Sequence, residues 1–399
     1  MYKLTGKVQH YAWGGTTYIP ALLGVDNAAQ KPFAEYWMGA HASSPSVIEK
    51  SENNTISLND LIHQHPSQYL GEKVANRFGV LPFLFKVLDV KEMLSIQVHP
   101  TKEEAIKGFA RENEAGIPLT ASHRNYKDDN HKPEIMVALS EFWLLHGFKE
   151  KSLLLQTLQQ ISSLNFLVPI FEKEGYYGLY KYVMELPQEK VDDILIPLLK
   201  KMIPEYTANR LKKSDPAYWA CKAIASSHDN FKNIDRGIFS IYFFNIVQLH
   251  PGQAIFQGAG VPHAYLEGQN IELMSNSDNV LRGGLTPKHI DVPELLKHTV
   301  FEGITPQIMN GDIQGAETIY HCPVPDFVVS RIVLSKNKVY THCSYSAEIL
   351  IVTEGETLCS SYGKSLLLKK GEAAFAAAGE EYDLTSSSEA VLYKAGVPD

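Results

Sequence analysis

The chain has no apolar run of about 18 residues or more, the length a helix needs to cross a bilayer, so a membrane-spanning protein is not expected. Its first residues, Met1-Tyr2-Lys3-Leu4-Thr5-Gly6, lack the apolar core of an export signal, and the expected location is the cytoplasm. An excess of positive charge is also missing. With a net charge of -8 and 21% charged residues, the chain has no general attraction for nucleic acid or an anionic membrane surface. An anionic ligand therefore has to be met by a local group of cations. Cysteine is scarce: Cys221, Cys322, Cys343 and Cys359 lie far apart with no CxxC spacing, which argues against a thiolate zinc site or a disulfide frame and for reduced thiols without a role. What is present is 399 residues at 44% hydrophobic content, enough for large cores in two or three domains.

The stretch that organises the rest is Leu94-Ser95-Ile96-Gln97-Val98-His99-Pro100. Residues two apart on an extended strand share a face, so Gln97 and His99 present an oxygen and a nitrogen together. Downstream, Glu134 follows His131-Lys132-Pro133 at the start of the apolar run Ile135 to Leu139, and Val261-Pro262-His263 adds another imidazole. Gln97, His99, Glu134 and His263 together make a four-ligand metal set. Any one of the 15 histidines alone reads as a surface or core residue. The grouping carries the signal.

Along the chain, residues 1 to about 100 read as short strands of an all-β module: Trp13-Gly14-Gly15, Phe33 to Gly39 and Leu81 to Leu88. One helical segment, Ser57 to about Phe78, interrupts them behind a capping Ser57. Lys86 sits inside an apolar strand, either reaching a cavity or an anion, or snorkelling at a strand edge. Thr101 to Lys107 suggests one or two helical turns, and the polar loop Gly116 to Asn130 is placed to act as a lid. From about Lys151 to about Asp235, Leu154, Leu158, Val191, Leu195 and Leu198 recur at helical spacing, with His228 as a structural residue. Strand patterns return with Ile238 to Val247 and Leu249 to Phe256, then a glycine-rich turn ending at His263. After a helix near Val292 to Lys297, the tail repeats the strand and turn pattern at Phe327 to Leu334, Ala347 to Val352, Ser365 to Leu368 and Ala373 to Ala376. No comparable His/Glu cluster is expected there. The fold class is thus mainly β with an α-helical insertion: residues 1–150 with 236–300 form one barrel, 151–235 the insertion, and 301–399 a second barrel.

The segment from Glu272 to Lys288 brings carboxylates, hydroxyls, Arg282 and Lys288 just after His263. Arginine offers a planar donor fork for phosphate and lysine a point charge, while Ser95, beside Gln97, offers a hydroxyl near the rim. Composition alone equally describes a solvated loop with Gly-Gly and Thr-Pro turns.

At these residues the chain resembles the type I phosphomannose isomerases, zinc enzymes of the cupin superfamily. The resemblance rests on Tyr11-Ala12-Trp13-Gly14, Ala34 to His41, Gln97-Val98-His99-Pro100, Asp129-Asn130-His131-Lys132-Pro133-Glu134, Tyr265-Leu266-Glu267-Gly268 and the block Ser277 to Lys288. It implies two cupin barrels with an inserted helical domain, and one zinc ion per chain held by Gln97, His99, Glu134 and His263. It further implies Arg282 as a catalytic residue, with Lys86, Ser95, Lys132, Glu272, Asp278 and Lys288 around a sugar phosphate.

Interconverting an aldose and a ketose moves a proton between C2 and C1 through an enediol whose oxygens need electrostatic stabilisation. Glu272, Asp278, His131 and Lys132 are candidate proton carriers, and the residues alone do not rank them. His131 and Lys132 are also candidates for opening the pyranose ring. Lys288 is the expected phosphate anchor, with Arg282 shared between phosphate and enediolate. Two other readings stay open here. His99, Glu134 and His263 are also the ligand set of a non-haem iron oxygenase, and a double barrel can bind sugar without catalysis. The assembly expected is a monomer or a weak homo-oligomer.

Overall fold

The computed structural model describes residues 1–51, 54–225 and 231–399, so His228 lies outside the described residues. Its strands form sheets of nine, ten and four. In the ten-stranded sheet, strand His263–Ser275 is the hub, pairing antiparallel with Phe83–Val90, Glu134–Ala138 and Phe142–Phe148. Every residue of Phe83–Val90 and of Glu134–Ala138 is buried. A strand covered on both faces loses its polar alternation, and each face then meets a different core. Leu88, Met136, Ala138, Leu144 and Tyr265 fill the barrel. Phe85, Val87, Ile135, Val137, Ile271 and Leu273 point the other way, onto Ile349, Ile351 and Phe375 of the C-terminal region.

The C-terminal region belongs to the nine-stranded sheet, and it does not form that sheet alone. Strand Tyr2–Thr5 pairs with Ala373–Ala376 on one side and with Val47–Ser51 on the other. N-terminal residues assigned from sequence to the first barrel thus extend the C-terminal sheet, because Leu4 and Ile48 are needed in the shared core.

Three further segments differ from expectation. Ile238 to Phe243, read as strand, lies in helix Gly237–Phe243, and the strand begins only at Phe244–Leu249. All seven helical residues are buried, and an apolar run without exposed positions has no periodicity to separate helix from strand. The single helix expected from Ser57 is three, Leu58–Gln64, Pro66–Leu70 and Glu72–Phe78, broken at Pro66 and Gly71. The turns expected over Thr101 to Lys107 continue to Glu114, with the Thr101 side chain capping the Glu104 amide.

Helices Lys151–Gln160, Val168–Glu185, Gln188–Thr207 and Pro216–Ala225 follow the first barrel. Their apolar faces pack on Ile96, Val98, Leu145, Ala264, Leu266 and Leu281, directly behind the strands that carry the proposed metal ligands. Among the described residues no helix is long and apolar enough to cross a membrane.

Phe375 is fully buried in the core between the two large sheets. Phe375→Ala is expected to lower unfolding free energy by about 3–5 kcal/mol through lost contacts and a residual cavity. Urea denaturation measures it; a loss under about 1 kcal/mol would mean that the sheets contribute little through this contact.

Candidate active site

His99, Glu134 and His263 converge at one end of the first barrel, all buried, with ligand atoms within 4.8 Å of one another. Glu134 Oε1 lies 3.5 Å from His99 Nε2, and Oε2 lies 3.2 Å from His263 Nε2. Each imidazole is oriented from behind: His99 Nδ1 is 2.8 Å from the Asn279 carbonyl and His263 Nδ1 2.9 Å from the Val261 carbonyl. A carbonyl only accepts, so each Nδ1 carries a proton, and a neutral ring held this way turns its Nε2 lone pair toward Glu134. Both Nε2 atoms are buried without a hydrogen-bond partner. Burial lowers the His99 pKa to about 4, which keeps its ring neutral at physiological pH. Two orphaned imidazole lone pairs facing a carboxylate fit a divalent cation.

Gln97 joins this group through the backbone. It pairs with His263 on one side and with Arg282 on the other, and its side chain lines the same cavity as Glu134 and His263. That cavity measures about 60 Å³ and is also lined by Glu35, Lys86, Lys132, Tyr265 and Glu272. A β-bulge brings Glu272 there. Strict alternation from His263 would place Glu272 on the opposite face, but the register slips between Tyr265 and Glu267. Gly268 follows with φ 128°, and a Cβ there would meet the Glu141 carbonyl oxygen at 2.6 Å. After the slip Glu272 pairs with Lys86 across the strands.

The buried charges compensate one another. Lys86 Nζ is 2.8 Å from Glu272 and 3.4 Å from Glu35. Burial alone would lower its pKa, and the two carboxylates more than reverse this, holding it protonated. Burial likewise raises the Glu272 pKa, with Lys86 pulling the other way. Glu134 would be raised by burial too, but Lys132, its Nζ 3.1 Å away, and the imidazoles draw it well below the carboxylate range. The Tyr265 hydroxyl, buried without a hydrogen-bond partner, stays protonated because burial and then the charge of Glu272 raise its pKa.

Several expected residues lie elsewhere. His131 does not line the cavity; its Nε2 is 3.0 Å from Asp326. Its imidazole N–H is taken by that carboxylate, which argues against its use on the sugar. Asp278 is half-exposed and bonded to His41, 3.3 Å away, which lowers its pKa. The Lys86 charge is already matched by two carboxylates, so Lys86 suits the cavity floor better than a phosphate. Ser95 is partly exposed beside Gln97 and is not among the cavity-lining residues.

Arg282 and Lys288 behave differently. Arg282 is half-buried without an ion pair among the described residues, and Lys288 is exposed. Burial and then the nearby Arg282 lower the Lys288 pKa. Two cations without carboxylate partners among the described residues repel each other until an anion arrives. Their loop is fixed by Asp235, which accepts from the amides of Leu285 and Thr286, each at 2.8 Å.

The loop Gly116 to Asn130, expected as a lid, is tied down. Asn279 accepts from the Lys127 amide and donates to the carbonyls of Asp128 and Asn130, and Glu112 accepts from the amides of Asn125 and Tyr126. Glu294 holds the flanking helix, accepting from Tyr126 at 2.6 Å and Arg111 at 2.8 Å.

The second barrel contains a polar cluster, though not one comparable to the metal set. Lys394 Nζ lies 2.9 Å from Glu317 and 3.1 Å from His342 Nε2, which is itself 2.9 Å from Glu348. His342 Nε2 either accepts from Lys394 or donates to Glu348, and only His99, Glu134 and His263 form a potential metal group among the described residues.

Among residues that sequence reasoning passed over, Tyr265 had a signal, being two positions from His263 on one strand. Glu35 had none, since the whole strand Glu35–Gly39 is buried.

A family model described as phosphomannose isomerase type I, catalytic domain, matches residues 1–151. The chain is 42% identical to mannose-6-phosphate isomerase of Escherichia coli (strain K12) over 386 residues, covering 95% of each protein. It is 33% identical to mannose-6-phosphate isomerase 1 of Arabidopsis thaliana over 381 residues, covering 92% of this chain and 85% of that one. The crystal structure of Salmonella typhimurium mannose 6-phosphate isomerase bound to substrate and zinc matches over 100% of both chains, with TM-score 0.88 and 38% identity.

Two outcomes test this geometry. His263→Ala is expected to reduce bound divalent metal from about one per chain to near none by elemental analysis, since it removes one of few ligands; full retention would place the ion elsewhere. The second concerns Glu294, where burial raises the pKa but bonds from Tyr126, Arg111 and His298 bring it down to about 2. A carboxyl depressed on folding stabilises fully above its unfolded pKa of about 4.3, and the contribution is lost as pH falls toward the folded value. Glu294→Gln should therefore cost about 1–2 kcal/mol at pH 7, after allowing for solvent screening. The gap to wild type should narrow between about pH 4 and pH 2.5, and urea midpoints that keep a constant gap would refute the assignment.

Proposed function

The chain belongs to the type I phosphomannose isomerase family, and we propose on that premise that its first barrel interconverts mannose 6-phosphate and fructose 6-phosphate with one zinc ion. The observation that carries this reading is the pair of buried, unpartnered Nε2 atoms on His99 and His263 facing Glu134. Gln97, His99, Glu134 and His263 are the residues that would hold the ion. When bound, zinc supplies a Lewis acid that polarises the oxygens on C1 and C2.

The remaining steps fall to the protein. A cavity of about 60 Å³ has room for the reacting end of a hexose, not for the whole sugar phosphate. The phosphate stays at the rim, where Arg282 and Lys288 lack carboxylate partners. Binding it there turns remote binding energy into orientation of C1 and C2. Of the candidate proton carriers, Glu272 is favoured: it is buried in the cavity and its pKa is raised, as suits a general base. Glu272 takes the proton from C2 of the open-chain aldose and returns it to C1, while the proton on O2 passes to O1. Lys86 balances the carboxylate charge through the cycle. The Tyr265 hydroxyl donates to a substrate oxygen, and Lys132 exchanges the proton with the ring oxygen during opening. Asp278 and His131 act outside this set. Free cysteines fit a cytoplasmic enzyme, and the chain works as a monomer or weak homo-oligomer.

The test follows fructose 6-phosphate formation from mannose 6-phosphate before chelation, after it, and after zinc is restored. Activity that vanishes and returns supports the reading, and zinc-loaded protein without activity overturns it. Arg282→Ala should keep its zinc and lose turnover by about 100-fold or more, because the phosphate's binding energy would no longer orient C1 and C2. Normal turnover would remove Arg282 from the mechanism.

A further inference from the structure

Asp326 is a carboxylate buried to 2% exposure at the junction of the two barrels, where an uncompensated charge is costly. It precedes Phe327 and lies close in sequence to Val329, both in the core between the large sheets. Its hydrogen-bonding partners come from the first barrel. Ser275 donates its hydroxyl to Oδ1 at 2.9 Å, and His131 Nε2 lies 3.0 Å from Oδ1 and 3.1 Å from Oδ2. A carboxylate accepts, so the imidazole donates.

These two partners flank the catalytic cavity. Ser275 ends the strand that carries Glu272 three positions earlier, and its amide donates to the Pro133 carbonyl at 3.1 Å. His131 stands three positions before Glu134, next to Lys132. The cross-strand pair Met274 and Glu134 lies between them. One carboxylate from the C-terminal region thus fastens the segment leading to the metal-ligand Glu134 and the end of the strand bearing Glu272.

We propose that Asp326 is a positioning residue for the isomerase reaction, through which the C-terminal barrel fixes Glu134 and Glu272 relative to each other by way of His131 and Ser275. This rests on the isomerase reading above. It gives the C-terminal barrel a part in catalysis without a ligand site of its own. Groups that orient metal ligands from behind are typically worth about 10–100-fold in metal affinity or activity, and Asp326, one step farther out, is expected at the low end.

The experiment uses the zinc-loaded full-length chain with Asp326→Ala and with Asp326→Leu, the latter of similar shape and suited to a buried position should the alanine variant not fold. Three measurements are expected to move together: kcat falls about 10-fold with KM changed less than about twofold, zinc leaves faster to a chelator, and amides of residues 129–132 exchange faster with deuterium. Asp326→Asn keeps Oδ1 as acceptor for both partners and is expected to recover most of the rate. In a His131→Ala background Asp326→Leu should cost less than it costs alone, because one of its two links is already broken and only the bond from Ser275 remains to be lost. Unchanged kcat and zinc release in the Ala or Leu variant would overturn the proposal. So would losses that multiply in the double variant, the mark of a general packing defect. Wild type lacking isomerase activity would instead overturn the functional reading, and zinc release and amide exchange would still report on Asp326.

Discussion

A carboxylate that faces two imidazoles inside a barrel has to be compensated, and the structure around Glu134 follows from that requirement. Three carboxylates, Glu35, Glu134 and Glu272, share the cavity with two ammonium groups, Lys86 and Lys132. One negative charge is left over, and a divalent cation reverses it. The cavity then carries net positive charge at the point where an enediolate develops. In the proposed binding mode the phosphate brings two more negative charges, to be met outside the cavity by Arg282 and Lys288. Separating the two anionic ends of the reacting sugar lets the inner cations stabilise the transition state while the outer ones hold the substrate.

Geometry converts this charge pattern into a site. The strand His263–Ser275 carries a metal ligand near one end and the favoured base near the other. Only the slip at Tyr265 and Glu267 lets both face inward. The lost alternation at the bulge gives a strand of 13 residues the use of one cavity along most of its length. Behind it, Phe142 packs edge-on against the Tyr265 ring. The helices pack against Ala264 and Leu266, so the metal end of the strand is held from its outer side.

What the sequence made legible was chemistry carried by local patterns. Gln97 lies on a short strand with His99 just beyond it, Glu134 opens a strand, and His263 follows a glycine-rich turn; the structure brings His99, Glu134 and His263 together, with Gln97 lining the adjoining cavity. The two-barrel fold with helices between its parts was legible for the same reason, since period and turn signals are local. The misplaced features depend on contacts distant in sequence. Helix Gly237–Phe243 is buried all round and shows no period. His131 looked catalytic because it neighbours Lys132 and Glu134, yet its direction is set by Asp326, 195 positions away. Lys86 does reach the cavity, one of the two readings its sequence left open, and the choice between them is made by Glu272, 186 positions on. Nothing in the local sequence of Tyr2–Thr5 says that it joins a C-terminal sheet.

The metal set alone does not choose the reaction, because two histidines and a carboxylate equally suit iron and dioxygen chemistry. The rest of the cavity makes the choice. This cavity of about 60 Å³ is ringed by titratable groups. Glu272 is poised to take a proton, Lys86 and Lys132 hold positive charge, and Tyr265 keeps its hydroxyl proton. Each can donate, accept or stabilise, and none is a redox group. Proton transfer within one sugar is the reaction that uses all of them. The bulge that turns Glu272 inward therefore bears on the proposed isomerase reaction as much as the ligands do, since without it the same three ligands would face a cavity lacking the favoured base.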